Sequence, residues 1–484
     1  MRQIKKLTAK DILHVIKEGD LNKIKELVSS GVDIFVTNKS GAAGIHLAAG
    51  SHSDTKVLEY LVSLGVNINA TDDTDRTPFH YAAGYNPHTS ILEYFISQGV
   101  NVNVLCENDL TPLHLAAAYN TEVDVLDYLI SQGADIHARD SLGKTPAQYA
   151  AQFNSDLNIL KYLISQGGDL NAKDKNNATL LHLAAGNNSN VMVLKYLVSQ
   201  GAEFNVCDND GAKPIHYAAS GNSQVDILDY LLSHAPEDVN VPDNKDEYPI
   251  HYAAQNNPEV AILKYLVSKG ADVNAQTNNG NTPIHLVAGF KPDLDVLKYL
   301  VSQGGLIKLK DFTRNTAIHF AAGLNPNVDI LKYLVAQGLD IGAANQFRKN
   351  ALHFLVEQTS NIDVLDYLLA QKVDVNAKDI RGKTPLHYAA ELDSKNSATV
   401  LHHLLEYGAE INVRDQDYFT PLDCAIAKHG RNHQTTTYLR KVGGEVTHRK
   451  TLISCAVIAV LLAAVLVLGS IFFVSRWIIR FFFY

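Results

Sequence analysis

The stretch TPLHLAAAYNTEVDVLDYLISQGADIHARDSLGKTP, residues 111–146, contains one complete structural period and the start of the next. The Thr111 hydroxyl is placed to cap a helix. Pro112 then falls at the first helical position, where a missing N–H is harmless. Leu113, Leu115, Ala116 and Ala117 predict a short helix whose small residues permit close packing. A polar turn around Asn120 follows. Val125, Leu126, Leu129 and Ile130 then recur at helical spacing, marking the apolar face of a second helix. Gly133 stops that helix as a left-handed C-terminal residue does. The next ten residues, Ala134–Gly143, read as a hairpin-like loop leading to the next Thr-Pro. The period is therefore helix, turn, helix, extended loop.

The same string recurs as Thr77-Pro78-Phe79-His80, Thr282-Pro283-Ile284-His285 and Thr384-Pro385-Leu386-His387, with degraded copies between. The anchor position reads His46, His80, His114, Gln148, His182, His216, His251, His285, His319, His353, His387, Asp423. Successive anchors are 34 residues apart, except for 35 before His251 and 36 before Asp423. Twelve repeats are anchored in this way, and residues 8–35 read as one more without the histidine. Neither helix of a repeat can bury its apolar face alone. Stacked repeats bury a continuous core in which each touches its neighbours. At about 8–10 Å per helix layer, the expected stack is an elongated, curved rod roughly 100 Å or more in length.

These features, (G)-x-T-P-L-H-x-A-A, a V-L-x-Y-L-V second helix and then G-A-D-V-N-A, resemble ankyrin repeats over roughly residues 8–445. The resemblance implies an all-α ankyrin-repeat solenoid of about 12–13 repeats, each a helix-turn-helix plus a hairpin loop. Residues 1–35 would form an N-terminal capping repeat and 36–445 the array. The sequence departs from the common 33-residue repeat by one residue between the two helices, as in Ala185-Gly-Asn-Asn-Ser-Asn190. The resemblance further implies that each anchor histidine bonds its threonine and the turn backbone. It also implies that the hairpin tips and adjoining short helices form the binding face, and that no catalysis or cofactor is involved.

Residues 451–475, TLISCAVIAVLLAAVLVLGSIFFVS, carry no charge. As a helix they would span about 37 Å at 1.5 Å per residue, enough for a hydrocarbon core of about 30 Å with some tilt. His448-Arg449-Lys450 and Arg476 bracket the run, and Trp477 and Phe481–Tyr484 supply interfacial aromatics. The expectation is a transmembrane helix at 451–475, with a juxtamembrane linker at 446–450 and a short tail at 476–484. No apolar run follows the basic Met1–Lys6, so no signal peptide is expected. That absence also disfavours a removable lipid-anchor signal at the other end. Arg440, Lys441, Arg449 and Lys450 precede the run, against Arg476 and Arg480 beyond it. This positive bias predicts a single-pass membrane protein with its array in the cytoplasm.

The formal net charge of −9 disfavours a nucleic-acid binder driven by bulk charge. Cys106, Cys207, Cys424 and Cys455 contain no CxxC pair, so a disulfide scaffold is excluded and a reducing compartment is the simpler reading. The anchor histidines are a layer apart, near 10 Å, too far to share a zinc ion with bonds of about 2.0–2.3 Å. The remaining histidines show no HExxH-like spacing. Phosphate-loop, nucleophile-elbow, kinase and dinucleotide glycine patterns are absent. No catalytic, cofactor or metal residue is therefore assigned, and no small-molecule substrate is evident. Tyr60, Tyr94, Tyr128, Tyr162, Tyr196, Tyr230, Tyr265, Tyr299, Tyr333 and Tyr367 share one slot in the second helix. They are expected to pack between repeats, ring buried and hydroxyl near the surface.

The informative residues are those that the repeat leaves free, at the loop tips. Seven-residue windows ahead of the anchors from His46 to His251 sum to a charge of −5, and those ahead of His319, His353 and His387 sum to +5. The late tips also carry Phe312 with Arg314, Phe347 with Arg348, and Ile380 with Arg381, followed by Tyr418-Phe419. A solvated loop gains nothing from such rings, whereas aromatic residues and arginine are enriched at interface cores. The competing reading is that each ring folds back on the neighbouring repeat. The function expected is a non-enzymatic scaffold that presents a rigid face to a protein partner, with residues 451–475 held in membrane lipid. The alternatives are a self-assembling membrane protein and a bacterial effector or toxin component whose array only targets a host protein.

Overall fold

The computed structural model describes residues 8–447 apart from 258, 291–292 and 325–326; the proposed membrane run at 451–475 and its tail at 476–484 lie outside the described residues, as does most of the 446–450 linker. The described residues form twenty-six α-helices, alternately first and second members of thirteen pairs, and contain no strand beyond two isolated bridges, Thr37–Ala43 and Cys106–Leu110. None of these helices is long and apolar enough to cross a membrane. The chain divides into two compact bodies, Met1–Asp272 and Val273–Tyr484.

In the first body, the first helices of successive repeats pack in a row: Ala9–Glu18, Gly44–Ser51, Pro78–Tyr85, Pro112–Tyr119, Pro146–Phe153, Leu180–Asn187, Pro214–Gly221 and Pro249–Asn256. The second body repeats the pattern from Pro283–Phe290 to Pro421–His429. A first helix has a neighbour on each side, so burial is nearly complete: Pro112 through Ala118 are all buried. The second helix, Val123–Ser131, buries Val125, Leu126 and Leu129 and leaves Ile130 half-buried. Gly133 ends it at φ +91°, and the Ala134 amide donates back to the Leu129 carbonyl at 2.9 Å. Only glycine reaches that left-handed conformation without steric cost.

The tyrosine slot differs from expectation. The rings at Tyr94, Tyr128, Tyr162, Tyr196 and Tyr230 are half-buried rather than buried, because they lie on the outer side of the second helices. They still join repeats. Lys161 sits over the Tyr196 ring at 5.8 Å, and the Tyr162 hydroxyl donates to Asp127 at 2.6 Å.

The turn between the two helices carries a recurring side chain that joins repeats. In the first body, Asn86, Asn120, Asn154, Asn188, Asn222 and Asn257 stand six residues after their anchors, and all are buried. Asn188 is representative. Its Nδ2 donates to the Ala151 carbonyl at 2.9 Å and the Asn154 carbonyl at 2.8 Å, both in the preceding repeat. Its Oδ1 accepts the Asn190 amide at 2.9 Å, and its own carbonyl accepts Asn222 Nδ2 at 2.8 Å. Each asparagine thus satisfies carbonyls of the preceding repeat that would otherwise be orphaned, and the six form a continuous column. Asn188→Ala strands two buried carbonyls and an amide. Such losses cost about 1–3 kcal/mol each when unsatisfied, so denaturant unfolding is expected to show a loss of at least about 3 kcal/mol. Ser189→Ala, at the exposed position that follows, should shift stability by less than about 0.5 kcal/mol.

Candidate recognition face

The hairpins are fixed from below by the anchors. At His114, Nδ1 accepts the Thr111 amide at 3.2 Å and lies 2.9 Å from the Thr111 hydroxyl. An Nδ1 that accepts an N–H leaves the neutral ring's proton on Nε2. That Nε2–H donates to the Lys144 carbonyl, 3.1 Å away at the base of the next hairpin. His46, His80, His182, His319, His353 and His387 make the corresponding bonds to Arg76, Leu110, Ala212, Lys349, Lys383 and Phe419. Gln148 does the same work without an imidazole: its Oε1 accepts the Thr145 amide at 3.0 Å and its Nε2 donates to the Ala178 carbonyl at 3.0 Å.

Within most of the hairpins an aspartate organises the loop. Asp140 Oδ1 accepts the Leu142 and Lys144 amides at 2.9 and 2.7 Å, while Oδ2 accepts the Tyr149 hydroxyl at 2.7 Å. Tyr81, Tyr217, Tyr252 and Tyr388 bond Asp72, Asp208, Asp243 and Asp379 in the same way. Burial and the adjacent carboxylate push all these phenols far above their ordinary range. They are therefore neutral donors at any physiological pH. Successive tips are then tied by backbone: Ser141 N donates to Asn108 O at 2.8 Å and Lys175 N to Leu142 O at 2.9 Å.

The late tips continue this arrangement in the second body. Phe312 N bonds Asn279 O, Gln346 N bonds Thr313 O, and Ile380 N bonds Phe347 O, each at 2.9 Å. Phe312 and Ile380 occupy the same tip position two hairpins apart, with Gln346 between them, and Phe347 stands one residue further along its tip. Phe312 is 64% exposed, yet its ring lies across Gly280 of the preceding hairpin: a Cβ on Gly280 would come within 2.7 Å of Phe312 Cδ1. This ring therefore both touches its neighbour and faces water. Phe347 and Ile380 are also exposed. Arg314 and Arg348 occupy left-handed backbone, φ +64° and +58°, where other hairpins place glycine, as at Gly143 and Gly382. Arg381 lies between Ile380 and Gly382 and its carbonyl accepts the Gln416 amide at 2.9 Å.

A second apolar feature is absent from the sequence reading. Tyr85, Tyr119 and Phe153 close the first helices of three consecutive repeats, and each remains nearly half exposed. Tyr85 and Tyr119 stack at 5.7 Å, with 22° between planes, and Tyr119 and Phe153 stack at 6.3 Å and 29°. Tyr81 and Tyr149 meet the strip from below at 5.9 and 5.8 Å. The signal was an aromatic residue five positions after three successive anchors. Two buried thiols offer little chemistry: burial pushes Cys106 up to about 11 and Cys424 up to about 12, well away from the thiolate range of reactive cysteines.

Paired helices stacked in register, with a hairpin between each pair, define a helical repeat solenoid. Comparison with protein families finds ankyrin repeats, in blocks of three copies, at residues 12–106, 45–140, 82–174, 147–243, 224–311, 250–345, 284–379, 318–415 and 352–450. The blocks overlap without a gap, and the chain belongs to the ankyrin-repeat family. No curated protein matches the sequence. Ankyrin repeats are protein-interaction modules, and the chain is an interaction scaffold at that level of description.

Two measurements probe this face. Burial lowers the pKa of His80 to about 4, whereas an unfolded histidine titrates near 6.5. Between those values the unfolded chain binds the proton and the folded chain does not, so stability falls as pH falls through that window and is fully present above it. His80→Gln, which copies the natural arrangement at Gln148, should retain most of the neutral-pH stability. It should also remove roughly 2–3 kcal/mol of the loss seen between pH 6.5 and 4. The second concerns the tips. Left-handed backbone costs a non-glycine residue about 1–2 kcal/mol, offset in part by the entropy of glycine. Arg348→Gly should therefore leave thermal stability unchanged or raise it by up to about 1 kcal/mol, whereas Arg348→Ala should give no gain.

Proposed function

We propose that this chain is a protein-recognition scaffold held at a membrane surface by residues 451–475, with its repeats on the cytoplasmic side. The observation that carries the recognition part is apolar surface left in water on the hairpin and first-helix face, at Tyr85–Tyr119–Phe153 and at Phe312, Phe347 and Ile380. Stacked aromatic rings bring large contact area at small entropic cost, and the hydrogen-bonded tips limit what binding must order. Arg314, Arg348 and Arg381 beside the late rings supply the charge of an arginine–aromatic hot spot, complementary to an acidic and apolar partner surface.

The membrane part rests on the uncharged run 451–475 and on the basic excess before it. The linker Glu445–Lys450 spans at most about 20 Å. It would hold the last, basic repeats near anionic headgroups, where each Lys or Arg adds about 1 kcal/mol. One preparation tests both parts. On sealed vesicles from cells expressing the full chain, protease added to the cytoplasmic side should digest the repeats and spare a small fragment containing Trp477. Survival of the repeats until the vesicles are opened would reverse the topology. Crosslinking in the same vesicles should capture a protein partner. Replacing Phe312, Phe347 and Ile380 together by Ser should weaken that capture with the melting temperature nearly unchanged. A large loss of stability would instead show that the rings serve packing.

A further inference from the structure

We propose that Asp393, His429 and His433 form a binding site for one divalent transition-metal ion of the zinc class, joining the last two repeats. The site follows from the asparagine column. Asp393 stands six residues after the anchor His387, and His429 six residues after the anchor position Asp423. These are the register positions at which the first body places buried asparagines, each reaching from one repeat to the next. Neighbouring column positions are therefore adjacent in space. At the last two, the amides are replaced by a carboxylate and an imidazole. His433, four residues after His429, enters from the N-cap of the final helix, Gln434–Lys441.

The ligand atoms of the three residues lie within 4.8 Å of one another. The two imidazoles stack, centroids 4.5 Å apart and planes at 21°. His429 Nε2 is buried and has no hydrogen-bond partner among the described residues, which is costly for a polar atom unless something else meets it. The turn bearing the histidines is held in shape: Gly430 takes φ +83°, and its carbonyl accepts the Thr436 hydroxyl at 2.8 Å. Arg440 Nη1 donates to the Arg431 carbonyl at 2.7 Å. The carboxylates nearby are not equivalent. Glu357 pairs with Lys349 and Glu391 with Lys383, at 2.7 and 2.6 Å, whereas Asp393 makes no ion pair among the described residues.

Two imidazoles and one carboxylate suit zinc and its neighbours, and not magnesium or calcium, which prefer oxygen alone. Tetrahedral coordination at about 2.0–2.2 Å requires ligand atoms about 3.3 Å apart, so the side chains must close by rotation about their own bonds. A water would take the fourth position. A cleft of about 310 Å³, lined by Glu391, Glu357, Tyr388, Leu392 and Lys428, reaches Asp393. Glu357 and Glu391 are compensated by Lys349 and Lys383, so Lys428 opposes the cation and Asp393 supplies the charge that favours it. His433 Nδ1 accepts the Thr435 amide at a long 3.3 Å, a bond that metal loading would exchange or release. The bound ion would cross-link the loop after Pro385–Glu391 to the turn between the last two helices. The final helix pair has no following partner among the described residues, so this is where such a cross-link adds most.

The test uses the full chain, freed of metal and titrated with Zn²⁺ against a chromophoric chelator, with Co²⁺ as a spectroscopic probe. The expected result is a tight equivalent that His433→Ala and Asp393→Asn each weaken at least tenfold, and that His402→Ala leaves intact. Zn²⁺ should raise the Tm of the parent and not that of the two variants, and Co²⁺ should show tetrahedral visible bands only in the parent. Both substituted residues are partly exposed, so folding is monitored by circular dichroism in each sample. Parent protein that takes up no Zn²⁺, or variants that bind it as the parent does, would overturn the proposal.

Discussion

A buried imidazole that bonds in two directions is the constraint on which the rest depends. Its Nδ1 accepts the amide of its own Thr-Pro turn, and its Nε2 donates to a carbonyl of the next hairpin. The first bond dictates the tautomer, and the tautomer dictates that the second atom is a donor. One residue thus starts its own helix and positions its neighbour's loop. The link is directional, unlike the alanine pairs beside it, and it sets how each hairpin sits on the next. Burial disfavours protonation at nine anchor histidines spread along the chain, so it should weaken as a whole in acid rather than at one point.

The hydrogen bonds between repeats form three parallel lines in the first body. Anchors tie helix to hairpin, tip amides tie hairpin to hairpin, and the asparagine column ties turn to turn. With the backbone satisfied in this way, the outward side chains of the hairpins and first helices are spared structural work. Apolar groups there, the Tyr85–Tyr119–Phe153 strip above all, are the surface on which the proposed recognition rests.

Much was legible in the sequence because a 34-residue period averages over errors. Thr-Pro marked helix starts, Gly133 and its equivalents marked helix ends, and the anchor's structural role was expected before its bonds were seen. The tip residues were named from sequence, but their surroundings were not: Phe312 proves to lie over Gly280 while still meeting water. The tyrosine slot was expected to hold a buried ring with its hydroxyl near the surface, and the residues are half-buried, because periodicity shows which face of a helix is apolar and not how much of it a neighbour covers.

Local capping, turn chemistry and apolar spacing fix the repeat, its helix boundaries and the axis along which repeats must stack. The asparagines stand at a constant offset from the anchors, though an isolated Asn in a polar turn reads as an ordinary turn residue. Packing across the stack sets that these asparagines are buried and shared between repeats, which rings stack in water, and that Asp393, His429 and His433 converge. Those facts depend on side chains 34 or more residues apart meeting across a stack. Contact at that range is fixed by packing geometry, which no local rule of spacing contains.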